Sequence, residues 1–182
     1  MDSALAWVGQ VAAWIGQWIP RWVIVTTTCA AVKFVKGHTV VSCAPGIHWY
    51  WPVTTIFLMH PTARQTVNLR AQTVMTSDGR TIVVGGMVVY EIADIQKILA
   101  HTYDPDETIK DIAMSSAHDV CCQLAWDDLR EQQRNGALDR KLKVEARKDL
   151  DSYGVKVLKM TLTDLAPCRV LKIVNSMSQD AA

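Results

Sequence analysis

His118, Cys121 and Cys122 come nearest, by type and spacing, to a chemical site in this sequence. On a helix, offsets of three and four place them on one face, where imidazole and thiolate groups can hold zinc. No fourth ligand stands at zinc-type spacing. Cysteines on a helix face are far more often small buried hydrophobes. Ser115 and Ser116 beside His118 and Asp119 suggest a hydrolase. Neighbours on one helix, however, cannot line up nucleophile, base and orienting group opposite an oxyanion hole. The sequence has no G-x-S-x-G, Walker A or dinucleotide fingerprint. Gly85-Gly86 interrupts a strand-type run, which reads as a bulge or a close backbone approach rather than a phosphate cradle. The expectation is a protein that is not an enzyme and uses no cofactor or metal.

The elements that would carry these residues have clear start and stop signals. Asp104 reads as an N-cap, Pro105 as the first helical residue, and Glu107 as part of a capping-box-like pattern. Ile109, Ile112, Ala113, Ser116, Ala117, Val120, Cys121 and Leu124 then follow a 3.6 period. This predicts one helix from Asp104 to Gln133, closed by Asn135-Gly136. A second helix turns Leu138, Leu142, Ala146, Leu150 and Tyr153 inward, with Arg140, Lys141, Lys143, Arg147 and Lys148 outward. The outward face also carries Asp139, Glu145 and Asp149, so it reads as solvated. Gly154 stands where a C′ glycine belongs. Val155 to Leu165 reads as a last strand, with Leu158, Met160 and Leu162 on one face and Val155 and Val157 on the other. Upstream, Thr66–Val74 and Thr81–Ile92 are strand-type runs joined at Ser77-Asp78-Gly79-Arg80, a tight hairpin turn. Strands, two helices, then a strand predict an α+β fold.

The chain has 182 residues and a formal charge of +1. That balance argues against a nucleic-acid partner, which demands a basic excess. Five cysteines (Cys29, Cys43, Cys121, Cys122 and Cys168) show no disulfide-type pairing and suit a reducing compartment. The expectation is a folded body on the cytoplasmic side.

The first nineteen residues are mostly apolar. Ala4 to Ile19 as a helix would span roughly 24 Å, short of the ~20 apolar residues that cross a bilayer. Trp7, Val11, Trp14 and Trp18 share one face, with Gln10 and Gln17 beside it and Ala6, Gly9 and Ala13 on a small-residue side. Tryptophan favours the membrane–water boundary. This predicts a helix that contacts a membrane, or else one that packs its tryptophans on the protein or on a neighbouring subunit. Pro20-Arg21 ends it, and Trp22 to Val35 then reads as the first strand. Pro45 to Pro52 is a loop bracketed by prolines around Trp49, Tyr50 and Trp51. Such a cluster is a ligand platform, a piece of core, or a contact with a headgroup layer.

Three stretches in order, P-G-I-H-W-Y-W-P from Pro45, T-S-D-G from Thr76 and Y-E-I-A-D from Tyr90, resemble the SPFH family (stomatin, prohibitin, flotillin; band 7). The resemblance runs from about Val23 to Leu171. It implies an SPFH domain over 22–167, preceded by the tryptophan helix (1–21) and followed by a short helical tail (168–182; Val170 to Met177). Stomatin-like members use a membrane hairpin, here Ala4 to Val32 kinked at Pro20. Arg21 at its deepest point and the β-branched residues after Trp22 favour a short helix followed by a strand instead. In the family the Pro45–Pro52 loop lies near the membrane, which implies a second contact through Ile47, Trp49 and Trp51, with Trp22 joining the set. The implied function is a membrane-associated scaffold that self-associates to organise a microdomain or a membrane-protein assembly. Its partners would be copies of itself, a lipid membrane, and a membrane protein or membrane protease. The alternative is a soluble structural subunit that uses its first helix for packing. Many members assemble through a coiled coil, but sustained heptads are absent here. Lateral contact is therefore expected through Gly9, Ala13 and Gly16, and through Trp126. Trp126 reads equally as an interface anchor or a cap on the core.

Overall fold

Alternating buried and exposed side chains set out the strands, and a 3.6 period sets out the helices, in a computed structural model. It describes residues 7, 9–11, 13, 14, 16, 18–37 and 39–168. Strands β1 (Arg21–Val25), β2 (Cys29–Val35), β3 (Thr39–Cys43), β4 (Gly46–Tyr50), β5 (Thr55–Pro61), β6 (Gln65–Met75) and β7 (Thr81–Ile92) come first. Helices α1 (Ile95–His101), α2 (Pro105–Gln123), α3 (Trp126–Arg134) and α4 (Ala137–Asp151) follow, then strand β8 (Val155–Pro167). The tail expected over Val170–Met177 lies outside the described residues. Trp7, Gly9, Gln10, Val11, Ala13, Trp14 and Gly16 have helical backbone.

All pairing is antiparallel, in a β1–β4 ribbon, a β3–β2–β5 sheet and a β6–β7–β8 sheet. This agrees with the α+β expectation. Helices α2 and α4 cover one face of the last sheet, on β6 and β8 respectively. Beneath them Ile82, Val84, Val88 and Tyr90 meet Ile109, Ala113, Leu142, Ala146 and Leu150 in the main core. The opposite face of that sheet is only partly covered, as antiparallel sheets permit. The small sheet is a middle layer. Val32, Ala30 and Phe34 on one side of β2 join the main core, while Ala31 on the other side joins Val23, Val25, Cys43 and Phe57 beneath the ribbon.

The three stretches that carry the resemblance have physical explanations. Tyr90 and Ile92 alternate into the core, and Asp94 then caps α1 by accepting from the Gln96 and Lys97 amides. Gly79 has φ +78°, as the Asp78-Gly79 turn requires. Thr76 Oγ1 donates to Asp78 and lies 3.0 Å from the Arg80 carbonyl, closing that turn from inside. At Pro45-Gly46, His48 Nε2 is 2.6 Å from the Ala44 carbonyl, which staples the turn to the strand that follows.

Several expectations are corrected. The strand expected over Trp22–Val35 is two strands, β1 and β2, separated at Thr26–Thr28, where the Cys29 amide donates to the Thr26 carbonyl. The Pro45–Pro52 loop contains strand β4, and β5 and α1 were not anticipated. The helix expected over Asp104–Gln133 breaks at Leu124-Ala125, both of which are extended. There the Leu124 carbonyl accepts from the Ser77 amide and the Trp126 amide donates to Asp78, so the hairpin tip takes over the helix's backbone groups. In β8, Val155 and Val157 share the buried face with Met160 and Leu162 rather than opposing them. Tyr90 pairs with Val157 but Val89 with Lys159, leaving Leu158 as a bulge that flips the parity.

Gly85-Gly86 answers to the close-approach expectation. A Cβ on Gly86 would stand 2.6 Å from the Thr161 carbonyl, and one on Gly85 2.8 Å from Asp164 Oδ2.

Candidate functional site

The residues nearest to chemistry do not assemble a reactive site. Cys121 is buried in the core, and that burial pushes its thiol up to about 11, away from the reactive thiolate. Cys122 Sγ is 3.6 Å from the His118 ring, and His118 is 3.5 Å from Asp119. Among the described residues, no three His, Cys, Asp or Glu side chains converge as a metal site. Ser116 is fully buried with its Oγ 2.7 Å from Asp149 Oδ2 and 3.0 Å from the Ile112 carbonyl, so it ties α2 to α4. The Tyr90 hydroxyl lies 3.1 Å from Asp106 and 3.2 Å from Gln65, with His60 3.5 Å from the same Asp106 oxygen. Burial, and next the Asp106 charge, push the Tyr90 phenol up. This cluster fastens the end of β5 to the main core. The five cysteines are all free thiols.

The surface that stands out is apolar and lies on the ribbon. Trp22 faces Trp49 across the pair, and Ile24 faces Ile47. Strand alternation sends these four to one side and Val23, Val25, His48 and Tyr50 to the other. The inner set packs on the small sheet, with Tyr50 stacked on Phe57 at 5.8 Å. The outer set is open: Trp22 is 70% exposed, Ile24 68%, Ile47 63% and Trp49 61%. The Trp22 and Trp49 ring centroids are 5.9 Å apart, so the two indoles form one cross-strand unit. Trp51 and Val53 continue the exposed surface beyond β4, and Met59 of β5 helps line a shallow depression with Trp22, Val23, Ile24 and Ile47. A contiguous apolar surface of this kind marks an interaction site rather than an ordinary monomer surface.

The structure therefore places Trp22, Ile47, Trp49 and Trp51 in one neighbourhood. The sequence reading missed Ile24, Val53 and Met59. Ile24 was legible as the alternate partner of Trp22, but Met59 arrives only through pairing of β5 with β2. Trp7, Val11, Trp14 and Trp18 are exposed, with the Trp14 and Trp18 rings 5.9 Å apart. Gly9 and Ala13 are exposed and Gly16 half-buried, with open space where a Cβ would stand on either glycine. Trp126 sits with the main core at 9% exposure, and the Arg130 guanidinium is 5.9 Å from its ring centroid. Of its two readings, the cap on the core fits that burial. Among the described residues no helix is long and apolar enough to cross a membrane.

The sequence profile of the SPFH domain / Band 7 family matches residues 23–182. The chain belongs to this family. An uncharacterized protein of Methanocaldococcus jannaschii is 20% identical over 157 residues, covering 86% of this chain and 77% of that protein. SPFH proteins commonly oligomerise and associate with membranes, and the family is generally one of scaffolds rather than enzymes. In this SPFH chain the first of the three family-like stretches supplies β4, one of the ribbon's two strands.

Proposed function

We propose that this SPFH protein is a membrane-associated scaffold. It binds one leaflet through the outer face of the β1–β4 ribbon, together with Trp7, Val11, Trp14 and Trp18, and it self-associates side by side. The observation that carries the reading is the open Trp22–Trp49 and Ile24–Ile47 face. Its aromatic composition suits the headgroup boundary, where an indole can bury its ring and keep its N–H wet. A surface of this kind lies on a leaflet rather than spanning it, as monotopic contacts do. Lateral contact involves the N-terminal tryptophan helix that precedes β1, whose Gly9, Ala13 and Gly16 side permits close approach of a second helix. Many weak protomer–membrane contacts then add through multivalency. The folded body faces the cytoplasm, in keeping with its five free thiols. Membrane proteins, a membrane protease among them, are the partners such a platform would organise. The mechanism is organisation of a membrane patch, not catalysis.

Flotation with liposomes, paired with mass photometry and negative-stain imaging, tests this. The full chain is expected to float with vesicles and to form assemblies larger than a monomer, and Gly9→Leu is expected to shift it toward smaller species. A chain that oligomerises but never floats would instead be a soluble structural subunit. A chain that is monomeric on vesicles and in detergent would rule out the scaffold.

A further inference from the structure

Resting on the self-association in the reading just given, we propose that the folded domains also dock head to tail, with Tyr103, Asp104 and Asp106 of one copy seated at a basic notch between α2 and α4 of the next. The first observation is the outer face of α4. Between positions 140 and 148 the exposed side chains are Arg140, Lys141, Lys143, Val144, Arg147 and Lys148. Asp139, Glu145 and Asp149, which make this face look solvated in the sequence, are half-buried. Asp149 accepts from the Ser116 hydroxyl, and Glu145 pairs with Lys148. Arg140, Lys141, Lys143 and Arg147 take part in no ion pair among the described residues. Val144 is 66% exposed, and offsets of three and four put Arg140, Lys141, Arg147 and Lys148 around it. Beside it a notch opens between the two helices, lined by Val120, Gln123, Leu124, Lys141, Val144 and Glu145. Helix α3 nearly balances its own charges, with Asp127, Asp128 and Glu131 against Arg130 and Arg134. An open valine ringed by cations fits a partner that brings an apolar side chain with acids beside it.

The second observation is that this chain carries such a segment itself. Tyr103 is fully exposed, more so than any other large apolar side chain among the described residues. Its neighbours are fixed. Thr102 donates to the Ile98 carbonyl through both its amide and its hydroxyl. Asp104 caps α2, and Pro105 behind it is buried. The ring is therefore presented from a held backbone and loses little freedom on docking. Tyrosine is also among the commonest interface anchors. Asp104 and Asp106 are exposed next to it. Asp106 meets Tyr90 and His60 through Oδ1, which leaves Oδ2 as a further acceptor. Glu107, by contrast, is already taken by Arg70 and Lys110.

The third observation is where the two surfaces lie. Ser116 of α2 meets Asp149 of α4, and Val120 and Leu124 share the notch with Lys141 and Val144, so the two helices run antiparallel. Tyr103 precedes the start of α2, and the notch lies at its other end. At ~1.5 Å per residue these are roughly 25 Å apart along α2. The acidic tyrosine segment and the basic notch are thus at opposite ends of one helix pair, and a copy cannot bring its own two together. Complementary patches placed this way make a heterologous contact, which repeats from copy to copy into a ring or an open chain. The opposite charges set the direction of docking and steer the encounter.

The test uses the full chain in detergent, with assembly followed by sedimentation velocity, and two variants that each block one end. Tyr103→Ser removes the anchor and Val144→Asp spoils the notch. Both side chains are exposed, so the fold should hold, which circular dichroism checks. Each variant alone is expected to self-associate at least about 30-fold more weakly than wild type, the loss that marks an interface anchor. An equimolar mixture is expected to recover dimers and nothing larger, because the intact notch of one variant takes the intact Tyr103 of the other. Wild-type assembly is expected to weaken as salt is raised. Variants that assemble as wild type does would overturn the head-to-tail contact and leave self-association to the N-terminal tryptophan helix. Variants that lose assembly without recovering dimers on mixing would overturn it as well. Variants that keep assembly but bind phosphatidylglycerol vesicles less tightly would also overturn it, and would give the basic face to lipid. A wild type that stays monomeric in detergent and on vesicles would overturn both this contact and the scaffold reading.

Discussion

Removing the two indoles from the ribbon face is the most informative perturbation. A tryptophan side chain offers about 150–250 Å². Trp22 is 70% and Trp49 61% exposed, so about 100–170 Å² of each remains available to a leaflet. If half of that inserts, ~25 cal/mol per Å² gives about 1–2 kcal/mol per indole. The pair then contributes about 2–4 kcal/mol, and Trp22→Ala/Trp49→Ala should bind vesicles roughly 30- to 1000-fold more weakly. The fold should lose little, because these side chains point away from both cores; the cross-strand pair itself is worth about 0.2–1 kcal/mol. Vesicle titration followed by flotation measures the partition, and urea unfolding measures the stability. In the wild type, tryptophan emission should shift to the blue on binding. A double variant that is as stable as wild type and binds as tightly would refute the assignment of this face. So would a wild type whose emission does not move while it floats.

Other expectations test the fold and the absence of a thiol site. Gly79→Val forces a Cβ onto a residue with φ +78° and should cost about 1–2 kcal/mol in urea unfolding. Gly86→Ala should cost about 1–3 kcal/mol, and more than Gly85→Ala, because its Cβ meets the Thr161 carbonyl rather than a movable Asp164 side chain. The Thr76 hydroxyl, and less strongly the Trp126 amide and Arg80, hold the Asp78 carboxyl below its usual range. A depressed folded pKa contributes stability that is present above the unfolded value and lost as pH falls through the folded one. Asp78→Asn should therefore be less stable at neutral pH and should converge on wild type in acid, as a series of melts against pH would show. Cys121→Ala/Cys122→Ala should lower the melting temperature and leave vesicle binding unchanged. Stoichiometric zinc in the wild type that disappears in this variant would contradict that expectation.

The sequence determined those features whose signals lie a few residues apart. Asp104 before Pro105, the apolar periods of α2 and α4, glycine at 79 and at 154, and the two strand runs flanking Ser77–Arg80 are all local. Backbone preference and periodicity act over one or two turns, so they can be read without knowing the fold. Trp22, Trp49 and Trp51 stood out as candidate membrane contacts through the family resemblance, since the residues alone left a ligand platform, a piece of core and a headgroup contact open. What local reading could not decide was register. That Trp22 stands opposite Trp49, and Ile24 opposite Ile47, depends on how β1 pairs with a strand more than twenty residues away. A slip by one residue would send every side chain to the other face. The same reason explains the two misread elements. Local periodicity runs straight through Leu124 and through Leu158. The hairpin tip at Ser77–Asp78 breaks the helix at Leu124, and pairing with β7 makes Leu158 a bulge.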